Sequence, residues 1–270
     1  MDDIARFNRE RWGDLVRAKV AYSRPFLDLT PERARRIVDP FGFLGDMTGR
    51  PVLCLAGGGG QQSACFGVLG AQVTVIDITP EQLEQDRLAA AHYGHEVRTV
   101  EGDMRDLSAF AEDEFDVVWH AHSLNFVPDA ESVFAEVVRV LRPGGWYRLS
   151  CWNPHAHGID ERHWTGEGYV VSRPYGDGPM DWLGEDWPME DEDGNAISVP
   201  GPKEFRHTLS TLLNGQATRG LRLHRVAEYG GDGFTFEEHD ESTQGAEPGT
   251  WEHFCGWFRP WIEMWSHLEG

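Results

Sequence analysis

The stretch Pro51–Gln62 reads PVLCLAGGGGQQ, an apolar run that ends in four glycines. Val52, Leu53 and Leu55 predict a short buried strand, and the glycines after it leave the backbone bare to whatever approaches the turn. From Gln61 to Leu69 the spacing is helical, with Ala64, Cys65, Val68 and Leu69 on one face and Gly70 as the stop. The unit is strand, glycine turn, helix. Amides at the start of such a helix carry partial positive charge and favour an anionic group beside the turn.

Three classes of ligand use a turn of this kind. A nucleoside triphosphate site needs Lys and Ser or Thr after the last glycine, and Gln61 and Gln62 stand there instead. A dinucleotide site needs a third glycine three residues after the second; counted from Gly58 and Gly60 that position is Ser63. S-adenosylmethionine needs only exposed backbone for its carboxylate and amino group. The glycines alone leave the choice open.

A chain of 270 residues holds one α/β domain with an inserted or appended piece. Acidic residues number 45 against 24 basic, for a net charge of -21, and Lys19 and Lys203 are the only lysines. A field of that sign repels nucleic acid and anionic membranes and leaves neutral or cationic small molecules as partners. The four cysteines, Cys54, Cys65, Cys151 and Cys255, share no paired spacing and read as buried free thiols of a reducing compartment. The acidic helical start carries no apolar leader core and no run reaches transmembrane length, so the expectation is a soluble cytoplasmic protein.

Along the chain, a helix is predicted from Asp2 to about Tyr22 and a second from Thr30, its N-cap, to about Val38. QVTVID predicts a second strand ending at Asp77, after which Thr79, Pro80 and Gln82 supply an N-cap, a first-turn proline and a capping-box partner. Strands follow at Glu96–Val100, Phe115–Trp119 and Trp146–Trp152, the last preceded by a helix that Asp129 caps and Arg142–Gly145 stops. Strands alternating with helices at this spacing mean a parallel, doubly wound sheet. From Asn153 to Pro202 the pattern dissolves into glycine, proline, acids and aromatics (Trp164, Tyr169, Tyr175, Trp182, Trp187), the composition of a lid or binding loop. A helix near Phe205–Leu213, strands at Leu221–Tyr229 and Trp261–Trp265, and an exposed loop over Glu237–Pro248 complete the reading.

With these residues in place, the chain resembles the class I S-adenosylmethionine-dependent methyltransferases, above all the branch with the ubiquinone and menaquinone C-methyltransferases. The resemblance runs from Val52 to Trp152 and rests on VLCLAGGGG, on Asp77, on EGDM at Glu101–Met104, and on FDVVWHAHSL with the later LRPGG. It implies a Rossmann-like fold: a mostly parallel seven-stranded sheet with N-terminal helices and a lid insertion after strand five. The corresponding divisions are a helical cap (1–45), a cofactor-binding core (46–153), a lid (154–202) and the remainder of the core sheet (203–270). It also implies S-adenosylmethionine as cofactor, with Asp77 on the ribose, Asp103 on the adenine amino group and Met104 on the ring face. Ala56, Gly57, Gly58, Gly60, Ile78, Gln82 and His120 complete the expected cofactor contacts. Two positions depart from the family: Cys54 stands where an acid is usual in the first strand, and Ala56 replaces the first glycine.

Methyl transfer from a sulfonium is an in-line displacement that depends on holding the nucleophile against the methyl in a dry pocket. Polar groups just beyond strand ends are the candidates to do so, because doubly wound sheets bind ligands there. His122, His120 and Tyr22 are the expected catalytic residues; Tyr22, His122, Asn125, Trp152 and His155 are the expected contacts to a small-molecule acceptor. An imidazole is suited to taking a proton from a phenol, an amine or an acidic carbon. His155, His157 and His163 match no established metal-ligand spacing, and no metal is expected. The protein partner in this reading is a second copy of the chain; a protein that binds the cofactor without transferring methyl is the alternative function.

Overall fold

The structure, a computed structural model, describes residues 1–180, 186–231 and 245–270. Trp182 and residues 237–244 of the expected loop lie outside the described residues. The chain opens with helix α1 (Asp3–Arg17) and helix α2 (Pro31–Val38), then alternates β1 (Pro51–Leu55), α3 (Gln62–Val68), β2 (Gln72–Asp77), α4 (Pro80–Tyr93), β3 (Val97–Glu101), β4 (Phe115–Ala121), α5 (Ala130–Val140) and β5 (Leu141–Trp152). An excursion follows with β6 (Gly178–Pro179), the hairpin β7 (Asp186–Glu190) and β8 (Ala196–Pro200), and β9 (Phe205–Arg206). Then come α6 (Leu209–Ala217), β10 (Leu221–Tyr229), α7 (Trp251–Phe258) and β11 (Trp261–Leu268).

Seven strands form one sheet in the order β10-β11-β5-β4-β1-β2-β3. Strands β1 to β5 run parallel, and β11 is antiparallel to both β5 and β10. This is the mostly parallel, doubly wound sheet expected from the alternating pattern. Side-chain alternation along β1 builds both layers: Leu53 and Leu55 enter the core shared with α5, whereas Val52 and Cys54 enter the core shared with α2, α3 and α4. All four cysteines are buried and free. Among the described residues no helix is long and apolar enough to cross a membrane.

Several local expectations need correction. The N-terminal helix ends at Arg17, not near Tyr22, because Lys19 adopts a left-handed φ of 54° that an α-helix cannot continue. Tyr22 lies in the short 3-10 turn Ala21–Ser23. LRPGG does not separate helix from strand; it opens β5 itself, with a register irregularity against β4 between Phe115 and Val117. Thr79 caps α4 without a side-chain hydrogen bond; its amide instead donates to Asp77 Oδ1 at 2.8 Å. The segment expected to be irregular contains the β7–β8 hairpin, closed by an Asp191 turn in which Asp191 Oδ1 accepts the amides of Asp193 and Asn195, both at 2.9 Å.

Helix α1 crosses the C-terminal ends of the parallel strands and is pinned there by side chains. Asn8 Nδ2 donates to the carbonyls of Phe126 (2.9 Å) and Lys203 (3.1 Å), and its Oδ1 accepts the Lys203 amide at 2.7 Å. Arg9 pairs with Glu101 at 2.8 Å and Arg105 with Asp2 at 2.8 Å. Leu15 and Val20 pack with Val199, Trp187 and Ile197 of the hairpin, so α1 and the hairpin form one cover.

Candidate active site

Under that cover, at the strand ends where a doubly wound sheet places its ligand, lies a cavity of about 540 Å³. The strand order divides its wall. Ala56, Gly57 and Gly58 after β1, Asp77 and Ile78 at the end of β2, and Asp103 and Met104 after β3 line one side. His122 after β4, Trp152 at the end of β5 and Trp261 at the start of β11 line the other, with Trp12, Phe126 and Trp187 closing it from the α1 and hairpin side.

The glycine turn is built against its own chain. A Cβ on Gly58 would come within 2.6 Å of Gln82 Cβ and 2.9 Å of Asp77 Oδ2, and one on Gly60 within 2.5 Å of the Gln85 carbonyl. These glycines are bare because α4 presses on them. The anionic group expected beside the turn is also the chain's own: Asp86 of α4 accepts the amides of Gly59 (3.3 Å) and Gly60 (3.1 Å) and the hydroxyl of Ser63. Burial pushes Asp86 up to about 7. Cys54 sits in the apolar layer, its thiol pushed well up by burial. Asp86 thus supplies from α4 an acid contact to the turn that β1 does not. Its signal was faint: an acid in register with the buried positions Gln82, Leu83, Ala89 and Ala90.

Asp77 and Asp103 differ in their partners. Asp77 Oδ2 accepts the Gly58 amide at 3.1 Å, and burial raises its pKa. Asp103 is clamped by Arg105, whose Nε and a terminal nitrogen reach its two oxygens at 3.0 and 2.6 Å. The hydrogen bond to Asp103, with a second to Asp2, raises the Arg105 pKa. Arg105, unremarked in the sequence, fixes the orientation of Asp103 and leaves further lone pairs for a ligand.

The remaining predicted residues separate. Tyr22, His122, Trp152 and Gln82 line the cavity. Gly60 does not; its amide belongs to Asp86 and its carbonyl accepts the Phe26 amide at 3.1 Å. His120 lies in the interior with Nδ1 against the Tyr147 hydroxyl at 2.9 Å, and burial pushes its pKa down to about 3. Asn125 is buried behind the wall, accepting the Trp152 amide at 3.0 Å. His155 points away and meets the Phe258 carbonyl at 2.8 Å; His163 rests on Asp160 and His157 on Glu204.

His122 has φ of 51°, an uncommon conformation for a residue with a side chain and a form of strain found at functional sites. Its amide donates to the Ser150 carbonyl at 2.9 Å, its Nε2 lies 3.4 Å from the Tyr229 hydroxyl, and its ring meets Trp261 edge-on at 4.6 Å. The indole N–H groups of Trp251 and Trp261 both donate to the Gly231 carbonyl, at 3.1 and 3.2 Å. Those rings therefore line the cavity with their polar edges already satisfied.

A nucleoside without phosphate fits this donor set. Two carboxylates at the ends of β2 and β3 suit ribose hydroxyls and an adenine amino group, Met104 suits a ring face, and the backbone at Ala56–Gly58 is accessible. Gln82 Oε1 and Ser123 Oγ, both in residues of the cavity wall, are buried with no hydrogen-bond partner among the described residues. Buried polar atoms without a partner are rare in folded proteins, and these two sit in the wall of the cavity.

Fold and site together define a nucleoside-binding α/β protein. A family model described as a methyltransferase domain matches residues 53–149. An uncharacterized methyltransferase of Bacillus subtilis, YbaJ, is 36% identical over 193 residues, which is 71% of this chain and 72% of that protein. A ubiquinone biosynthesis O-methyltransferase of Thiobacillus denitrificans is 31% identical over 156 residues, 57% of this chain and 64% of that one. The crystal structure of an S-adenosylmethionine-dependent methyltransferase from Mesorhizobium loti superposes with a TM-score of 0.60 at 22% identity, covering 90% of this chain and all of that one. The chain belongs to the class I S-adenosylmethionine-dependent methyltransferases, and S-adenosylmethionine is its cofactor.

Proposed function

We propose that this methyltransferase acts on a small organic acceptor, transferring methyl to a carbon, nitrogen or oxygen nucleophile by in-line displacement. The observation that carries the reading is the far side of the cavity, walled by Trp152, Trp251, Trp261, Trp12, Phe126 and Trp187. A wall of that size and polarity suits a ring or short chain, and the charge of -21 opposes a nucleic-acid strand.

In this reading Ala56, Gly57, Gly58, Asp77, Ile78, Gln82, Asp103 and Met104 hold the cofactor, while Tyr22, His122 and Trp152 face the acceptor. The bound cofactor supplies an electrophilic methyl on a sulfonium. The chain's own part is to exclude water and to hold the nucleophile in line. Residues 1–45 act as the cap and 154–202 as the lid, over a core of 46–153 and 203–270; the packing of α1 on the hairpin supports that division.

The test is turnover with S-adenosylmethionine and a panel of amines, phenols and carbon acids, following release of S-adenosylhomocysteine. Product with one class supports the reading. A protein that binds the cofactor and yields no product with any of them contradicts it.

A further inference from the structure

Glu204, between the hairpin and β9, is 4% exposed and contributes to the cavity wall. Its Oε2 lies 3.3 Å from His157 Nε2, and among the described residues no donor reaches its other oxygen. The ring is held from its other edge as well. Asn125 Oδ1 accepts the Trp152 amide at 3.0 Å, so its Nδ2 faces the Phe205 carbonyl at 3.0 Å and His157 Nδ1 at 3.4 Å. Asn125 and Glu204 thus meet the His157 ring at its two nitrogens.

The His157 ring fixes the orientation of the Glu204 carboxylate. Among the described residues no Lys or Arg pairs with Glu204: Lys203 Nζ lies over the Phe7 ring at 4.7 Å, Arg105 clamps Asp103 and Asp2, and Arg162 pairs with Asp160 at 2.6 Å. A buried carboxylate without a cation is costly, and a positively charged ligand relieves that cost. His157 also stacks on Trp152, with ring centres 5.5 Å apart and planes within 1°, so the acid stands beside an aromatic wall. A carboxylate next to indole faces is the chemistry that binds ammonium groups.

We propose that Glu204 receives the methyl acceptor and that the acceptor is an amine; this rests on the small-molecule reading above. The ammonium form binds first. One N–H proton then passes to a Glu204 oxygen while the bonding pair stays on nitrogen, exposing the lone pair that a methyl acceptor needs. His157 and Asn125 are positioning residues.

The test is binding, with the protein saturated by S-adenosylhomocysteine and titrated with phenethylamine, phenethyl alcohol and phenylacetate. The amine is expected to bind at least about tenfold more tightly than the alcohol, the effect of one hydrogen bond to a charged group, and the carboxylate least of all. Glu204→Gln is expected to erase the preference and leave S-adenosylhomocysteine affinity unchanged. Equal binding of amine and alcohol to the wild-type protein, or a preference that survives in E204Q, overturns the assignment; the wild-type ratio decides even where the variant does not fold. A non-amine acceptor that binds and is methylated overturns the amine assignment alone, whereas methylation confined to macromolecules overturns the small-molecule reading with it.

Discussion

The carboxylate of Asp77 accepts the Gly58 amide across 3.1 Å with one oxygen and the Thr79 amide across 2.8 Å with the other. The end of the second strand is thereby tied to the glycine turn, and the acid proposed to hold the ribose also shapes the backbone beside it. Asp77→Ala is expected to weaken S-adenosylhomocysteine binding by about 1.5 to 3 kcal/mol, the range for hydrogen bonds to a charged group. Isothermal titration measures this, and unchanged affinity would reduce Asp77 to a structural residue.

Asp86 carries a pH signature. Its folded pKa of about 7 exceeds the ordinary carboxyl value, so between about pH 4 and 7 the native state holds the extra proton and stability falls as pH rises. Asp86→Asn removes that slope. The variant should gain on the wild type by about 4 kcal/mol between about pH 4 and pH 8 in denaturant melts. His120, pushed down to about 3, has the opposite sign, costing stability as pH falls below about 6.5, but it is common to both proteins and cancels. A stability difference that is flat with pH would contradict this.

Ala56 holds φ of 45° at the end of β1, where a left-handed backbone costs a side chain about 1 to 2 kcal/mol. Ala56→Gly relieves that cost against a loss of unfolded-state rigidity of about 0.4 to 1 kcal/mol. A small net stabilisation with retained cofactor affinity is expected from thermal melts in the presence and absence of S-adenosylhomocysteine. Destabilisation would mean that the Ala56 methyl packs more than it strains.

Trp187 joins the hairpin to α1 through Trp12, with ring centres 6.3 Å apart, and lines the cavity. Trp187→Ala is expected to raise the acceptor KM about tenfold, the loss of one aromatic contact, and to leave cofactor affinity intact. A fall in cofactor affinity instead would move the hairpin to the nucleoside side.

The core of the fold was legible because its signals are local. β-branched runs and helical spacing over Pro51–Trp152 mark the strands and helices, and Asp77 and Asp103 stand at strand ends that the same pattern locates. What was hidden depends on contacts distant in sequence. Asp86 reaches the turn from another helix, Glu204 and His157 meet across the excursion, and Gly58 and Gly60 are bare because α4 presses on them. α7 lay unmarked beside a polar stretch, and the β7–β8 hairpin was masked by its acidic turn. Asn125 and His155 read as ligand contacts because their residue types suit one; only the tertiary structure shows the Asn125 amide and His155 Nε2 committed to the chain.

The nature of the acceptor is tested most directly by labelled methyl transfer into a cell extract split by ultrafiltration into small-molecule and macromolecular fractions. With S-adenosylmethionine carrying a radioactive methyl group, label is expected in the small-molecule fraction with the wild-type protein and to be strongly reduced with Asp77→Ala. Label confined to the macromolecular fraction would contradict a small-molecule acceptor.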